Sequence, residues 1–411
     1  MASASGSKLE TYSRPDLATR PAGSARGLIS LILRALAIAM TTRLFLAGVV
    51  WLSMRIFPRF GLYPVQLPDS FFPDDPVIDG WARWDTAHYV AIAQLGYGSD
   101  NPSPHGGLGF FPFYPLLMRG AVELVGAAPT ERNLALAGLL IANVAFLAVV
   151  ALITWIGTVK FGERVGLEAA VLLCIAPFSF FFNAAYTESL FLALALASLA
   201  AADRGRWWLA GIAAGFATFT RLIGLALPPA LLLLAWRRGA RFRDLAVATL
   251  LSVSGTLAYF GYCAWRFNNP LAYFDAQATW GGWDEHVRFY AELFFLHPRQ
   301  ALGGRPEDLI VAIGLALAIV YLAFLPLVWK RLDWGLATYT TLIIVVQGAM
   351  VWVSLGRYVL PAAGVYLAAA LWFTSKGFAH RYGWVRDAVL VSSTLLLSFL
   401  AVLYAHGFWV V

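Results

Sequence analysis

Long apolar runs, separated by short polar or basic connections, constrain this 411-residue chain more than any other feature. A run of about 20 apolar residues can cross a bilayer as one helix. Charged residues make up only 13% of the chain, against roughly 25% in a soluble domain. The sequence therefore predicts an all-α polytopic membrane protein of about eleven transmembrane helices. The predicted spans are 33–57, 133–157, 165–183, 187–203, 207–220, 222–236, 245–266, 309–329, 334–353, 358–375 and 386–409.

The runs 207–220 and 222–236 are the shortest, and Arg221 lies between them. Neither is long enough to cross a membrane upright. They are predicted to form either a short hairpin or one long kinked helix.

The distribution of basic residues predicts the orientation, because cytoplasmic connections are enriched in Lys and Arg. The two longest predicted loops, 58–132 and 267–308, carry fourteen acidic and seven basic residues and are assigned to the outer face. The N-terminus is then inside and the C-terminus outside. The basic residues assigned to the cytoplasm are Lys8, Arg14, Arg20, Arg26, Lys160, Arg164, Arg204, Arg206, Arg237, Arg238, Arg241, Arg243, Lys330, Arg331, Lys376, Arg381 and Arg386.

Two regions follow from this pattern: a polar cytoplasmic tail at 1–32 and a single integral-membrane domain at 33–411. The first 26 residues lack the short apolar region and cleavage site of a signal peptide, so the first span is expected to be an uncleaved anchor. The net charge of +7 is scattered between apolar segments, and a nucleic-acid binder would gather it into one stripe. No nucleic-acid partner is therefore expected.

The first predicted outer loop contains an unusual polar and aromatic stretch, WARWDTAHY, at residues 81–89. Residues 85–97 predict a helix with Tyr89, Ile92 and Ala93 on one face, which Gly96 ends, and 112–126 predicts a second. Both are expected in the interface plane with their apolar faces toward the lipid. Trp81 and Trp84 also suit an interfacial belt. Asp85 suits a helix N-cap as well as a chemical role, and the two are compatible.

The motifs resemble those of the PIG-V family, mannosyltransferases that add the second mannose to glycosylphosphatidylinositol (GPI) precursors, and of their prokaryotic relatives. The first outer loop, with RWDTAHYVAIAQLGYG followed by FFPFYPLL, carries the most specific part of the resemblance. Further matches in the family's order are NAAYTESLF at 183–191, FTRLIGLAL at 219–227, NPLAYFDAQATWG at 269–281 and SLGRYVLPA at 354–362.

The resemblance implies a glycosyltransferase of the GT-C superfamily. It implies a bundle of membrane helices, a sugar donor carried on a polyprenyl or dolichyl phosphate, and transfer with inversion. The catalytic base would be an acidic residue of the first outer loop, which places it at Asp85, with Asp79 as the second candidate. The compact loops suggest a prokaryotic relative in the plasma membrane, with its active site on the outer face and an acceptor that need not be a GPI precursor.

The chemistry of such a transfer needs one base and fixed cations. A lipid phosphate leaves without a general acid, whereas the acceptor hydroxyl must lose a proton, which one carboxylate can accept. Arginine suits the departing phosphate because its guanidinium binds two oxygens at once. Arg221 and Arg357 are the main candidates, and Arg43 ranks lower. The other predicted substrate-binding residues are Asp79, Arg83, Trp84, His88, Glu188, Gln277, Trp280 and Tyr358.

Several assignments have a purely structural alternative. Each arginine could be snorkelling or paired, Glu188 could pair with an arginine, and His88 could orient the base or pack at the interface. Gln277 and Trp280 could pack in their loop, and Tyr358 adjoins Arg357 in its motif. Cys174 and Cys263 are expected to be packed core thiols.

No cofactor is expected, and no metal site follows from the sequence. Asp69, Asp74, Asp75 and Asp79 could form a weak divalent-ion site, although acidic loop decoration explains them as well. The expected partners are a polyprenyl-phosphate sugar donor, a lipid, glycan or protein acceptor, and the bilayer. The competing hypotheses are a lipid or sugar transporter or flippase, and the same fold acting on another sugar such as glucose, galactose or arabinose.

Overall fold

A computed structural model describes residues 25–57, 72, 75–280, 288, 291–292, 306–350 and 354–408 of the chain. Within these ranges the secondary structure is helical, with no strand, so the predicted all-α fold is confirmed. The helices are α1 Ala25–Ile56, α2 Pro76–Asp79, α3 Asp85–Leu95, α4 Phe113–Leu124, α5 Glu131–Phe161, α6 Glu163–Ile175, α7 Glu188–Asp203, α8 Trp207–Thr220, α9 Leu227–Arg237, α10 Phe242–Phe267, α11 Ala272–Gln277, α12 Pro306–Arg331, α13 Trp334–Met350, α14 Leu355–Tyr358, α15 Ala363–Phe373 and α16 Lys376–Ala405.

Five of these helices, namely α1, α5, α10, α12 and α16, are long and apolar enough to cross a membrane. The protein is therefore a multi-pass membrane protein. A helix lies in each of the eleven predicted spans. Six of these helices are shorter than the five long ones, namely α6, α7, α8, α9, α13 and α15. The first helix begins at Ala25, so residues 25–32 of the predicted polar tail are helical.

The predicted span 165–183 is wrong in its second half. Helix α6 ends at Ile175, and Ala176 adopts an extended backbone with φ −53° and ψ 138°. Pro177 follows directly, and proline disfavours helical geometry in the residue before it. The chain then continues to α7 without regular helix apart from one 3-10 turn at Ser179–Phe182, and nearly all of this segment is buried. Irregular backbone at such a position is tolerated because protein surrounds it.

Helices α8 and α9 form a hairpin, which resolves the alternative left open by the sequence. Arg221 breaks the helix with an extended backbone at φ −153° and ψ 142°, and a 3-10 segment, Leu222–Ala226, leads into α9. At the other end, the Arg238 guanidinium pairs with Asp203, which ends α7 four residues before α8 begins. The end of α9 therefore lies beside the start of α8.

One end of the bundle is held by an ionic network. Lys160 Nζ lies 2.6 Å from Asp203 Oδ1 and 3.2 Å from Asp333 Oδ2, and Arg238 also pairs with Asp203. The ends of α5, α7 and α9 and the connection from α12 to α13 therefore meet there. These residues flank the basic connections that the sequence assigns to the cytoplasm. We call this the basic end.

The loop helices α3 and α4 pack against protein. Their predicted positions are close to those observed, and Gly96 ends α3 with a positive φ of 77°. However, Tyr89, Ile92 and Ala93, the predicted lipid-facing side of α3, are all buried. Tyr89 and Ala93 pack in one apolar cluster with residues of α4 and α5. The expectation that this apolar face points into the bilayer is therefore wrong.

Glycine allows a close contact between helices α8 and α10. A Cβ atom at Gly255 would lie 2.1 Å from the carbonyl oxygen of Gly215, so neither helix could approach as closely with larger residues. Small residues at such crossings are typical of membrane bundles, where van der Waals packing rather than water exclusion joins helices. This contact holds α8, and with it the break at Arg221, in a fixed position.

Candidate active site

The site lies at the end of the bundle opposite the basic end, where helices are interrupted. Helix α7 has 16 residues, so Glu188 at its start lies about 24 Å from Asp203 at its finish. Three interruptions meet near Glu188: the segment before α7, the break at Arg221, and the turn around Arg357 before α15. Proline lies close to each of them, as Pro177, Pro228 and Pro361. Asp85 joins them from the first loop.

Asp85 is held by a tight turn of residues 83–86. The Thr86 N–H donates to the Arg83 carbonyl at 3.1 Å. Trp84 has φ 49° and ψ −111°, the geometry of the first central residue of a type II′ turn, which favours glycine. For a tryptophan this conformation costs about 1–3 kcal/mol and persists only where its surroundings hold it. Strain of this kind, next to a charged residue, is characteristic of functional sites.

Asp85 is the first residue of α3 and carries its carboxylate toward Arg357. Arg357 Nη1 lies 2.8 Å from Asp85 Oδ2, and 18% of the Asp85 side chain is exposed. Trp84, not Asp85, occupies the N-cap position, and no backbone N–H of the described chain donates to the Asp85 carboxylate. The capping hypothesis for Asp85 is therefore wrong, and its carboxylate faces Arg357 and is partly exposed.

Glu188 joins the two arginines. Its Oε1 lies 3.1 Å from Arg357 Nε and 2.5 Å from Arg221 Nη1, while the residue itself is fully buried. Arg221 Nη1 also donates to Thr187 Oγ1 at 2.9 Å. Of the two carboxylate oxygens, Oε2 is buried without a hydrogen bond in the described structure. Glu188 therefore pairs with arginines, one of the two roles that the sequence allowed.

The cluster is electrically balanced and suits its helix ends. Asp85 and Glu188 supply two negative charges, and Arg221 and Arg357 supply two positive charges. Each acid stands in the first turn of a helix, and Arg221 follows the last residue of α8. The helix dipole favours anions at the start of a helix and cations at its end. Buried charges of this kind persist when each is paired.

Aromatic rings surround the two guanidinium groups. The Arg357 carbon Cζ lies 4.6 Å from the centre of the Tyr358 ring and 5.0 Å from that of Tyr186. Arg221 Cζ lies 4.9 Å from the Tyr358 ring, and Arg357 Nη2 donates to the Tyr358 hydroxyl at 2.9 Å. Such contacts attract a cation to the ring face. Arg357 is 2% exposed and Arg221 12% by side chain, so Arg221 is the more accessible of the two.

Asp79 and Arg83 form an ion pair of their own, separate from the ionic cluster around Glu188. Arg83 Nη2 pairs with Asp79 Oδ2 at 2.8 Å and donates to the Ala405 carbonyl at 2.8 Å, at the end of α16. Asp79 is 0% exposed and Arg83 is 4% exposed. Their burial argues against the predicted substrate contacts. The pair instead anchors the turn that carries Asp85 to the last helix.

His88 is also buried, and its position limits its role. Its Nδ1 lies 2.8 Å from Ser103 Oγ, and its ring stacks on Phe110 with a centroid distance of 4.7 Å. Burial lowers the pKa of His88 below its usual 6.5, and the negative charge of Asp85 opposes that shift only in part. At neutral pH the imidazole is therefore uncharged. A neutral ring packed on Phe110 is poorly suited to bind a phosphate.

The predicted residues of the second loop are only partly within the described structure. Gln277 Nε2 donates to the Gly109 carbonyl at 2.8 Å, so it connects the two loops. The side chain of Trp280 lies outside the described residues, as do Asp69 and Asp74. Asp75 caps α2 through the Ile78 N–H and pairs with Arg132 at 3.0 Å. No group of three metal-binding side chains occurs within the described ranges.

Arg43 acts as a structural tie. Its guanidinium donates to the carbonyls of Cys174 at 2.7 Å and Ser179 at 2.8 Å, and to Asn183 Oδ1 at 2.5 Å. Its Cζ lies 4.2 Å from the Phe146 ring centre. These contacts hold the irregular segment before α7, so the predicted lower-ranked role in phosphate binding is not supported. Both cysteines are buried and free, as expected for core thiols.

Tyr186 is a contributor that the sequence-based prediction missed. Its hydroxyl accepts a hydrogen bond from the Asp85 N–H at 3.2 Å and donates one to the Arg83 carbonyl at 3.1 Å. Its position in the NAAYTESLF motif, two residues before Glu188, was the available signal. The Trp81 carbonyl also accepts from the Ala185 N–H at 3.2 Å, and Thr86 Oγ1 donates to the Ala185 carbonyl at 3.3 Å. The WARWDTAHY and NAAYTESLF motifs are thus joined by hydrogen bonds into one folded unit.

The fold and site together define a multi-pass membrane protein with a buried ionic cluster at one end. Residues 74–243 match the family model described as Mannosyltransferase (PIG-V). The resemblance indicated by the motifs is thereby confirmed over this region. It includes Asp85, Glu188 and Arg221, while Arg357 lies beyond it.

Two curated relatives cover a similar region. GPI alpha-1,6-mannosyltransferase 2 of Cricetulus griseus is 32% identical over 172 residues, which is 39% of this chain and 33% of that protein. The Homo sapiens protein of the same name is 32% identical over 172 residues, covering 39% of this chain and 34% of its own length. The chain thus spans about a third of the length of the curated relatives it matches.

Two solved structures are similar over most of the chain. ArnT from Cupriavidus metallidurans, bound to undecaprenyl phosphate, gives a TM-score of 0.47 at 16% identity and covers 94% of this chain and 77% of that one. The Archaeoglobus fulgidus oligosaccharyltransferase in the apo form gives a TM-score of 0.47 at 14% identity, covering 93% and 55%.

Proposed function

We propose that the protein is a membrane glycosyltransferase that transfers a hexose, namely mannose, from a polyprenyl-phosphate donor to an acceptor hydroxyl with inversion. The observation that carries the proposal is the partly exposed Asp85 carboxylate, paired with Arg357 and linked through Glu188 to Arg221. The match of residues 74–243 to the mannosyltransferase family supports the reaction class and the sugar.

Asp85 is the base in this mechanism. The acceptor hydroxyl attacks the anomeric carbon, its proton passes to Asp85 Oδ1, and a carbon–oxygen bond forms. The bond from the anomeric carbon to the phosphate oxygen breaks, and its electrons leave with the lipid phosphate. Pairing of Oδ2 with Arg357 fixes the orientation of the carboxylate. Since no described residue binds Oδ1, that oxygen is available to the acceptor.

The arginines have different parts. Arg221 is the more exposed, so it contacts the donor phosphate and stabilises the charge that develops as the phosphate leaves. Arg357 is buried between two carboxylates and fixes their geometry. Its positive charge also stabilises the departing phosphate without direct contact. Glu188 holds both guanidinium groups in place. Preorganised charges of this kind do not have to reorient during the reaction.

The site is assigned to the outer face of a prokaryotic plasma membrane. Lys160, Arg238 and the other basic connections cluster at the opposite end of the bundle, and such connections stay in the cytoplasm. The donor would then be presented from the outer leaflet, and the acceptor would be a lipid, glycan or protein. The charged cluster lies at one end of α7 rather than halfway along a span, where a transporter would be expected to bind its substrate.

The proposal is tested by transfer of radiolabel from polyprenyl-phosphate mannose into product by the purified protein in lipid vesicles that contain a membrane extract as acceptor. Parent protein should form labelled product, and parallel reactions with polyprenyl-phosphate glucose, galactose or arabinose should form less. Product from none of these donors would contradict the glycosyltransferase. If another sugar donor is used in preference, the proposed transfer reaction stands and the assignment of mannose as the sugar is overturned.

A further inference from the structure

The turn that carries Asp85 is strained, and one hydroxyl group bridges it. Trp84 has the positive φ that favours glycine, yet it is a tryptophan. The residues on both sides of it, Arg83 and Asp85, meet the same atom, Tyr186 Oη. The hydroxyl donates to the Arg83 carbonyl at 3.1 Å and accepts from the Asp85 N–H at 3.2 Å.

The bridge is buried and has few alternatives. Tyr186 is 0% exposed, so bulk water does not reach its hydroxyl. Tyr404 Oη accepts from the Arg83 N–H at 3.3 Å. That N–H belongs to the peptide group before Arg83, so this bond does not involve Asp85. Within the described structure, the Tyr186 hydroxyl is therefore the side-chain group that joins both peptide groups around Trp84.

We propose that Tyr186 is a positioning residue, whose hydroxyl holds the 83–86 turn in its strained form and thereby aims the Asp85 carboxylate at Arg357 and the acceptor. This inference rests on the proposed function of Asp85 as base. The Tyr186 ring also lies against Arg357. The same side chain therefore holds the backbone around Asp85 and packs against the guanidinium that pairs with Asp85. Tyr186 touches neither the reacting atoms nor the proton that is transferred.

The test begins with Tyr186→Phe, which keeps the ring against Arg357 and removes only the hydroxyl. Relaxation of the turn displaces Asp85, and small displacements of a catalytic group are costly. We expect kcat per folded molecule to fall about 10-fold to 10²-fold, while KM for the lipid-phosphate donor stays close to that of the parent. Tyr321→Phe is the matched control, since it removes another buried hydroxyl, which donates to Tyr366 Oη at 2.8 Å. It should keep the parent kcat.

A double-mutant cycle distinguishes positioning from structural support. If Tyr186 acts through Asp85, the variant carrying both Asp85→Asn and Tyr186→Phe should transfer sugar as slowly as Asp85→Asn alone, because the base is already absent. Rates are measured in long radiolabel incubations and divided by the amount of folded protein. If Tyr186→Phe fails to accumulate, replacement of Tyr186 by 4-fluorophenylalanine, which fills the space of the hydroxyl but cannot donate to the Arg83 carbonyl, carries the same cycle and should lower kcat in the same way.

The outcomes separate the two proposals. Parent kcat in Tyr186→Phe, with a slow Asp85→Asn, overturns the positioning role and leaves Asp85 as the base. If the fold-reductions in rate of Asp85→Asn and Tyr186→Phe multiply in the double variant, positioning through Asp85 is also overturned. Parent activity in Asp85→Asn overturns the proposed base, and the positioning role with it.

Discussion

Arg357 Nη1 lies 2.8 Å from Asp85 Oδ2, although the two residues are far apart in the sequence and belong to different motifs. Asp85 begins a helix of the first loop, and Arg357 lies in the turn before α15. Arg357 is 2% exposed, whereas 18% of the Asp85 side chain is exposed, so the pair orients the carboxylate without covering it. In the proposed mechanism Arg357 therefore positions the base rather than binding the phosphate directly.

Arg221→Lys keeps the charge but loses the planar guanidinium, whose Nη1 contacts both Glu188 and Thr187. We expect weaker donor binding and transfer slower by about 10-fold or more, as one preorganised contact to the departing phosphate is lost. Donor binding and initial rates in vesicles measure both. Arg241→Lys, at an exposed position of the basic end, is the matched control. Parent values for Arg221→Lys would contradict its phosphate role.

Glu188→Gln should affect folding more than chemistry. The carboxylate is fully buried between Arg221 and Arg357, and removal of one partner from a buried ionic group costs about 3–5 kcal/mol. We expect a lower yield of folded protein and a lower melting temperature in detergent. Glu123→Gln, at an exposed pair with Arg119, should change neither measurement. Equal stability of the two variants would exclude Glu188 as the link of the cluster.

His88 predicts a pH dependence of stability. Because burial lowers its pKa in the folded protein, the unfolded chain binds a proton at a higher pH than the folded one. Its contribution to stability is therefore complete above about pH 6.5 and is lost as the pH falls toward the lower folded value. Melting temperatures of the parent should decline over that interval, whereas His88→Gln should show a smaller decline. Identical curves would contradict the burial of a neutral imidazole.

The topology is testable with introduced cysteines. The native Cys174 and Cys263 are buried, so an impermeant thiol reagent applied to intact cells should react mainly with new sites. A cysteine at position 100, an exposed site of the first loop, should be labelled, and one at position 240 should react only after the membrane is opened. The opposite pattern would reverse the orientation and move the active site to the cytoplasm.

Sequence patterns predicted the helices well because apolar runs report burial in a membrane. They failed at 176–183, where PFSFFFN is as apolar as a span yet irregular, since hydropathy does not distinguish a helix from buried turns. Pro177 was the missed signal. The same holds for the site: motifs singled out Asp85, Glu188, Arg221 and Arg357, but pairing across the bundle is a tertiary property.

Asp79 and Arg83 show the limit from another side. Both adjoin Asp85 in the sequence, and proximity suggested a shared role in substrate binding. Their spacing of four residues, which also suits an internal ion pair, was the better guide to the observed 2.8 Å contact. The strained φ of Trp84 and the bridging hydroxyl of Tyr186 had no sequence signature beyond the motifs that contain them.

The account depends most directly on Asp85, and one comparison of initial rates tests it. Asp85→Asn and Asp79→Asn are measured at matched amounts of folded protein in vesicles, with radiolabelled polyprenyl-phosphate mannose. Asp85→Asn should still bind the donor but transfer sugar at least ~10²-fold more slowly, because an amide cannot accept the proton. Asp79→Asn, buried against Arg83, should reduce the yield of protein but not the rate per folded molecule. A fully active Asp85→Asn enzyme would contradict the mechanism.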